Sequence, residues 1–497
     1  MLTTKEGMPA RPEWVLALAG FCLILLQFFM IREVTALLAG TELVILLVTL
    51  AYFIGYSVGY GVAGRLSFGC IQKLALVMWA LHLTIPFSFR YIGGFLFSFE
   101  TSGLEICGLL FLTAFALSSF YSVLLPRFID QATDGSRSLV RYYGVELLGA
   151  VAGVIALLAT ARVPWLPPLL YQIALGVLVA LLWGRSLVWL LAGAGVTGYA
   201  LLYPGAQQNS LNYSYAKIEN FAHHQVVYSV NTLYQKVDII REDNNHRFIY
   251  LSGRMNYGTE HLKRLNIGLS LLPAKVIRPK EALIVGSGSM ESVKYASEFA
   301  QHVTTCELDN AVIEGSRRWL ADVNHLDEIK NWTLHIADAK YFLGQTDKRF
   351  DLIMMDVPAP STIQLGLLHS VDFYRLAQKR LTPHGLISVS LCGTFASWNS
   401  TPRTVAAALV KVFPTVLIFT PKDAERSFAL AGDSLPFTLE QFREVGATVG
   451  SPEIRVYDAA EIAKIIGDVQ PMTASNMRHV VWDSWDHLRD LLMEAKK

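Results

Sequence analysis

Apolar residues follow two regimes along this 497-residue chain. From Trp14 to about Tyr203 they run almost unbroken in seven stretches, roughly 14–31, 43–64, 72–89, 104–125, 143–160, 166–183 and 186–203. Each approaches the ~20 residues with which a helix crosses a bilayer. A cleavable leader would not be followed by six more such runs, so the first is expected to be a span. Beyond Pro204-Gly205 the period shortens. Stretches such as "HHQVVYSV", "YQKVDIIRED" and "HRFIYLSG" alternate, and the turn-like Asp243-Asn244-Asn245 predicts a hairpin. From 281 onward, strands at 282–285, 303–307, 333–336, 351–355, 386–390, 415–420 and 427–431 alternate with helical segments. That order predicts a parallel sheet covered on both faces, with the last two strands an antiparallel hairpin.

The expected architecture is an N-terminal multi-span α-helical membrane bundle of about seven spans, followed by an α/β domain. Its parts are 1–205, the helical membrane region; 206–280, a small β-strand region; 281–435, the α/β domain; and 436–497, a helical tail. The tail "WDSWDHLRDLLMEAKK" spaces Trp482, Trp485, Leu488 and Leu491 as one face of a packing or dimer helix. "YDAAEIAKIIGDV" is amphipathic and is expected to dock on the domain.

Charge and composition change this picture little. A net charge of +1 carries no signature of nucleic-acid binding. Cys22, Cys70, Cys107, Cys306 and Cys392 are scattered without a CxxC pair, so neither a zinc site nor a disulfide framework is expected. His223-His224 are adjacent and do not share a helical face as metal ligands would. Within the apolar half, Gly55 and Gly59 of "GYSVGYGVAG" stand four apart, as at a close helix contact. Arg32, Glu33, His82 and Glu146 are ionisable groups at or inside spans. Such groups are costly in hydrocarbon and are expected to pair, as Arg32 with Glu146.

The candidate chemistry begins with "EALIVGSGSMESVKYASEFAQHVTTCELDN", residues 281–310: strand, glycine turn, helix, strand, acid. In an open α/β sheet, ligands bind beyond the carboxyl ends of the strands. Gly286 and Gly288 let the backbone turn and approach a ligand, and the helix over 290–300 points its N-terminus there. Glu307 ends the second strand 21 residues after Gly286, where an acid accepts hydrogen bonds from ribose hydroxyls. Asp338-Ala339 follow the third strand and Asp356 ends the fourth. Together these are a Rossmann-like ligand site.

In this order the pieces resemble the spermidine/spermine synthase (aminopropyltransferase) family, in its membrane-anchored bacterial branch. They are "LYQKVDI" (233–239), "LSG" (251–253), "LIVGSGSME" (283–291), "VTTCELDNAVI" (303–313), "IADAKYFL" (336–343), "FDLIMMDVPAP" (350–360), "DFYRLAQKRLTPHGLISV" (372–389) and "GDVQP" (467–471), with "MIREVTALLAG" near the first span. The resemblance implies an aminopropyl transfer from decarboxylated S-adenosylmethionine to a small amine, releasing methylthioadenosine, with no tightly bound cofactor and no metal. It implies that Gln235 and Glu307 hold the ribose, Asp338 with Ala339 the adenine, and that Asp356 is the catalytic base. It also implies the lipid bilayer as a partner, and a homo-oligomer is among the expected assemblies.

The departures fall on the amine side. The family's Gly-Gly-Gly-Asp-Gly turn has Ser289 in place of its aspartate, where the donor's ammonium is read. A second family aspartate is Ala359, Leu-Asp-Gly is Leu251-Ser252-Gly253, and a Tyr-His-Glu cluster is not evident in "LKRLNIGLSLLP". Two other readings therefore stand beside aminopropyl transfer. One is methyl transfer from S-adenosylmethionine itself; the other is a non-catalytic membrane protein that binds an adenosyl ligand.

With seven spans, Lys5, Arg11, Arg65, Lys73, Arg127, Arg137, Arg141 and Arg185 share the side of the N-terminus, against Arg32, Arg90 and Arg162 opposite. The positive-inside rule then places the C-terminal domain outside. An ATP-derived cosubstrate requires it in the cytosol, which is the expectation kept. A miscounted span near 88–103 would reconcile the two.

Overall fold

The computed structural model describes residues 3–4, 8–9, 11–99, 103–130, 135–160, 163–259, 263–422 and 424–485. The chain forms two compact units, one reaching Lys236 and one beginning at Val237.

The first unit opens with two short paired strands, β1 (Thr3–Thr4) and β2 (Met8–Pro9). Nine helices follow among the described residues: α1 (Pro12–Leu37), α2 (Glu42–Ala63), α3 (Phe68–His82), α4 (Phe87–Phe97), α5 (Gly103–Ser122), α6 (Leu124–Asp130), α7 (Gly135–Thr160), α8 (Leu166–Trp183) and α9 (Ser186–Ile218). Strand β3 (His224–Asn231) ends the unit's regular structure. Among the described residues six helices are long and apolar enough to cross a membrane, and a seventh crossing is reached if α3 and α4, bent by 68°, count as one. Helix α9 runs through Pro204-Gly205 to Ile218 without a break, because the residues beyond the proline keep helical hydrogen bonds.

Gly55 and Gly59 do make the close contact that their spacing predicts. A Cβ at either would overlap Phe115, Ser118, Ser119 or Ser122 of α5. The polar pairing differs from expectation. Arg32 donates to the carbonyls of Leu233 (2.6 Å) and Tyr234 (2.9 Å), and Glu146 accepts from Tyr56 at 2.9 Å. The partner of Arg90 is Glu33, held by two hydrogen bonds of 2.7 Å, with Lys236 Nζ 3.1 Å from the same carboxylate. All three are buried, and the planar fork of Arg90 matches a carboxylate that has no water to solvate it. Arg32 and Glu33 lie near the C-terminal end of α1. The chain therefore leaves the first unit at the end of α1 opposite the one at which it enters. His82 is fully buried against Tyr171, and His224 contacts the Asn212 carbonyl at 3.0 Å.

The second unit begins with an antiparallel meander of β4 (Lys236–Glu242), β5 (Arg247–Leu251) and β6 (Arg254–Gly258). The β4–β5 turn is the expected one, with Asn245 at φ 67. Helix α10 (Lys263–Asn266), a π-turn (Ile267–Leu271) and α11 (Leu272–Ile277) lead into the main sheet. Its strands are β7 (Glu281–Gly286), β8 (His302–Glu307), β9 (Trp332–Ile336), β10 (Phe350–Asp356), β11 (Leu381–Ser390), β12 (Thr415–Pro421), β13 (Phe428–Gly432) and β14 (Ile454–Tyr457), in spatial order β14-β12-β13-β11-β10-β7-β8-β9. Strands β11, β10, β7, β8 and β9 are parallel, and β13, β12 and β14 antiparallel. Strand β14 is an edge that the apolar pattern does not announce, four residues long and half covered.

Period-two alternation separates the two cores. Leu283, Val285, Ile353, Met355, Ile387 and Val389 face one side of the sheet, and Ala282, Ile284, Leu352 and Met354 face the other. Each fully buried Leu or Ile contributes about 1.5–3 kcal/mol over an exposed one. The amphipathic segment near 460 is a helix, Ala459–Ile466, docked through Ile462. The expected tail helix is seen only to residue 485; Leu488 and Leu491 lie outside the described residues.

Candidate active site

The sheet order β10-β7-β8-β9 brings four strand ends to one edge. At the first, Gly286 pairs with Asp356 across β7 and β10. Gly286 has φ +84, and a Cβ there would overlap the Asp356 carbonyl oxygen. The next residue, Ser287, donates its N–H to that carbonyl at 3.0 Å. The positive φ values of the turn fall on Gly286, Ser287 (105) and Met290 (62), not on Gly288. Gly288 instead faces open space: a Cβ built there meets nothing within 4 Å. The helix after the turn is short, α12 (Glu291–Ser297).

Glu307 closes β8 and is 9 % exposed. Its Oε1 accepts the N–H of Asp309 at 2.8 Å, and Asp309 caps α13 (Asn310–Trp319). Burial pushes the Glu307 carboxyl up to about 7; the N–H of Asp309 opposes this, and the charges of Asp309 and Asp356 add to it. Asp338 is exposed one strand further on, capping α15 (Ala339–Gln345) through a bond from Tyr341 N at 2.9 Å. Ala339 is buried beside it. Ala337 N donates to the Glu307 carbonyl at 2.9 Å, which ties these two strand ends together. Leu308, Ile336 and Tyr341 leave apolar surface uncovered around them, at 39 %, 46 % and 67 % exposure.

Asp356 is half-buried at the end of β10. Its Oδ2 lies 2.5 Å from Ser292 Oγ. Burial raises its carboxyl above the usual range, against the opposing pull of the Ser292 and Ser287 hydroxyls. Gly286, Gly288, Ser289, Glu307, Asp338, Ala339 and Asp356 thus belong to one edge of one unit. Gln235 does not: it lies in the first unit, closing a turn in which Thr232 N donates to its carbonyl at 2.8 Å.

Besides Ser289, which the sequence does single out, three residues at this edge escape the sequence reading: Glu291, Asn266 and His369. Ser289 is buried and turned inward, accepting the N–H of Glu291 at 3.3 Å. The carboxylate of the loop is Glu291, two residues on, 5 % exposed and bonded by Asn266 Nδ2 (2.7 Å) and Tyr295 OH (3.0 Å). Asn266 comes from the stretch "LKRLNIGLSLLP", which carries no motif of its own. His369 is the third, buried with Nε2 3.1 Å from the Pro358 carbonyl and Nδ1 3.3 Å from Tyr374 OH. Burial pushes its imidazole down to about 4, so the neutral ring donates from Nε2 to Pro358 and steadies the loop after Asp356.

A glycine turn flanked by acids at adjacent parallel strand ends defines the class: an α/β domain of the Rossmann-like ligand-binding kind. Residues 265–416 match the family model of the spermine/spermidine synthase domain. The chain is 26 % identical over 271 residues to a polyamine aminopropyltransferase of Leptospira interrogans, covering 50 % of this chain and 53 % of that protein. It is 27 % identical over 280 residues to the polyamine aminopropyltransferase of Mycobacterium tuberculosis, covering 52 % and 51 %. The chain spans about half the length of these curated relatives. Among solved structures, the spermidine synthase of Thermotoga maritima shares 18 % identity at a TM-score of 0.39, covering 49 % of this chain and 84 % of that one.

Proposed function

We propose that this chain is a membrane-anchored, spermidine synthase-like aminopropyltransferase. It moves an aminopropyl group from decarboxylated S-adenosylmethionine to a small amine. The observation that carries the reading is the pair of carboxyls, buried Glu307 and half-buried Asp356, at strand ends on either side of the glycine turn, each held above its ordinary protonation range. Glu307 would accept the ribose hydroxyls. Gly286 and Gly288 would line the donor's path, with Ser289 turned inward behind them. Asp338 and Ala339, beside the uncovered Leu308, Ile336 and Tyr341, would hold the adenine.

An alkyl ammonium cannot attack carbon until it loses a proton. Asp356 takes that proton on its carboxylate. The freed nitrogen lone pair then attacks the carbon next to the sulfonium, and the carbon–sulfur bond breaks with its electrons passing to sulfur. Methylthioadenosine leaves as a neutral thioether. Holding nitrogen, carbon and sulfur in line supplies most of the remaining acceleration.

The test is turnover by the purified full chain with decarboxylated S-adenosylmethionine and 1,4-diaminobutane or a cell amine extract, followed by chromatography of the nucleoside product. Methylthioadenosine is expected, and Asp356→Asn should lower its rate by about 10²–10⁴-fold. S-adenosylhomocysteine formed from S-adenosylmethionine would replace this reading with methyl transfer. Binding with neither product would leave a non-catalytic adenosyl-binding protein. The apolar helices of the first unit would set the protein in a bilayer, with the transferase domain on the cytosolic side where an ATP-derived donor is made.

A further inference from the structure

Ser292 sits between two acceptors. Its Oγ is 2.5 Å from Asp356 Oδ2 and 3.1 Å from Asn266 Oδ1. One hydroxyl has one proton to donate, so it cannot satisfy both while Asp356 is ionised. Rotating the Asn266 amide would resolve the conflict by turning an N–H toward Ser292. That rotation is blocked: Asn266 Nδ2 donates to Glu291 Oε2 at 2.7 Å, and a turned amide would set its oxygen against a carboxylate. Glu291 is itself fixed by Tyr295 OH at 3.0 Å and buried with Asn266 and Ser292.

We propose that Glu291 and Asn266 are positioning residues that draw the Ser292 proton away from Asp356, so that Ser292 lowers the Asp356 carboxyl less than a free hydroxyl would and Asp356 is a stronger base toward the amine. With Asp356 protonated, every bond is made: Asp356 Oδ2–H to Ser292 Oγ, Ser292 Oγ–H to Asn266 Oδ1, Asn266 Nδ2–H to Glu291. When Asp356 ionises, the Ser292 proton swings to it and the Asn266 oxygen loses its donor. A buried carbonyl left without a donor is unfavourable, so Asn266, held by Glu291, biases Asp356 toward the neutral acid against the pull of Ser292. The base is thereby poised to titrate nearer neutral pH, where returning its proton between turnovers is fast.

Other groups around Asp356 act on it without passing through Asn266. From β8, Glu307 contributes a like charge, which acts in the same direction. From the glycine turn, Ser287 and Ser292 contribute hydroxyls. Beyond β10, His369 is neutral and engaged with Pro358. The glutamate of α12 acts through Asn266.

The proposal rests on Asp356 being the base of the proposed reaction, but its test does not need turnover. Infrared difference spectra of the full-length protein, recorded across pH, follow the protonated-carboxyl band that Asp356→Asn removes. The expected midpoints move in opposite directions. Ser292→Ala removes a donor to the carboxylate and shifts the midpoint up. Asn266→Ala releases the Ser292 proton to Asp356 and shifts it down, by about one pH unit in each case. Glu291→Gln lets the amide rotate and also shifts it down, and it serves where Asn266→Ala does not fold. If Asn266→Ala and Glu291→Gln leave the midpoint in place, or Asn266→Ala moves it upward with Ser292→Ala, the chain is only structural and the proposal fails. Absence of turnover with these shifts present would overturn the transferase reading and leave the chain standing.

Discussion

At the scale of single residues, Glu307 carries two opposed demands. Burial holds its carboxyl at about 7, well above the ~4.3 of an exposed glutamate. The folded protein therefore binds this proton more tightly than the unfolded chain does. The resulting stabilisation is complete below about pH 4 and is lost as pH rises toward 7, amounting to about 3 kcal/mol. On the proposed function ligand binding runs the other way, because ribose hydroxyls would donate to the ionised form. Calorimetric titration with methylthioadenosine should show affinity rising by about tenfold between pH 6 and pH 8. Glu307→Gln should bind about 10–100-fold more weakly, without that slope, and should lose less thermal stability than the wild type between pH 4 and pH 7. A wild-type affinity independent of pH would remove Glu307 from the site.

At the scale of elements, the turn between β7 and α12 divides its labour between its two glycines. Gly286→Ala introduces both a positive-φ strain and an overlap with the Asp356 carbonyl, so it should destabilise the domain by about 1–3 kcal/mol or more in denaturant unfolding. Gly288→Ala meets no protein atom, so it should unfold within about 0.5 kcal/mol of the wild type while weakening the adenosyl ligand. Equal unfolding midpoints for the two variants would contradict this division. The strands that lead to the turn are readable in the sequence because apolar alternation and glycine punctuation are local signals. Glu307, Asp338 and Asp356 inherit that legibility by standing at strand ends. Asn266 does not, since it meets Glu291 across 25 positions from a segment without a motif. The Glu33–Arg90 pair spans 57 positions and is equally silent, which is why Arg32 and Glu146 present themselves as partners to a reader of the sequence and are not partners in the fold.

At the scale of the whole molecule, the end of α1 that holds Leu233, Tyr234 and Lys236 is the end far from the N-terminus. An odd number of crossings follows if the helices span a bilayer, as with the α3–α4 pair counted as one. Removing a crossing near 88–103 no longer reconciles loop charge with a cytosolic donor, so one of the two must yield. On the proposed function it is the loop charge. A C-terminal fluorescent-protein fusion should therefore glow and a C-terminal alkaline phosphatase fusion stay silent; the reverse pattern would put the domain outside. The grip on residues 233–236 also alters what the first unit is for. Arg32 takes two successive carbonyls, Glu33 takes the ammonium at 236, and Gln235 lies between these holds. A version cut at Pro204-Gly205 would sever α9 in mid-helix and lose the hold that Arg32 and Glu33 keep on residues 233–236.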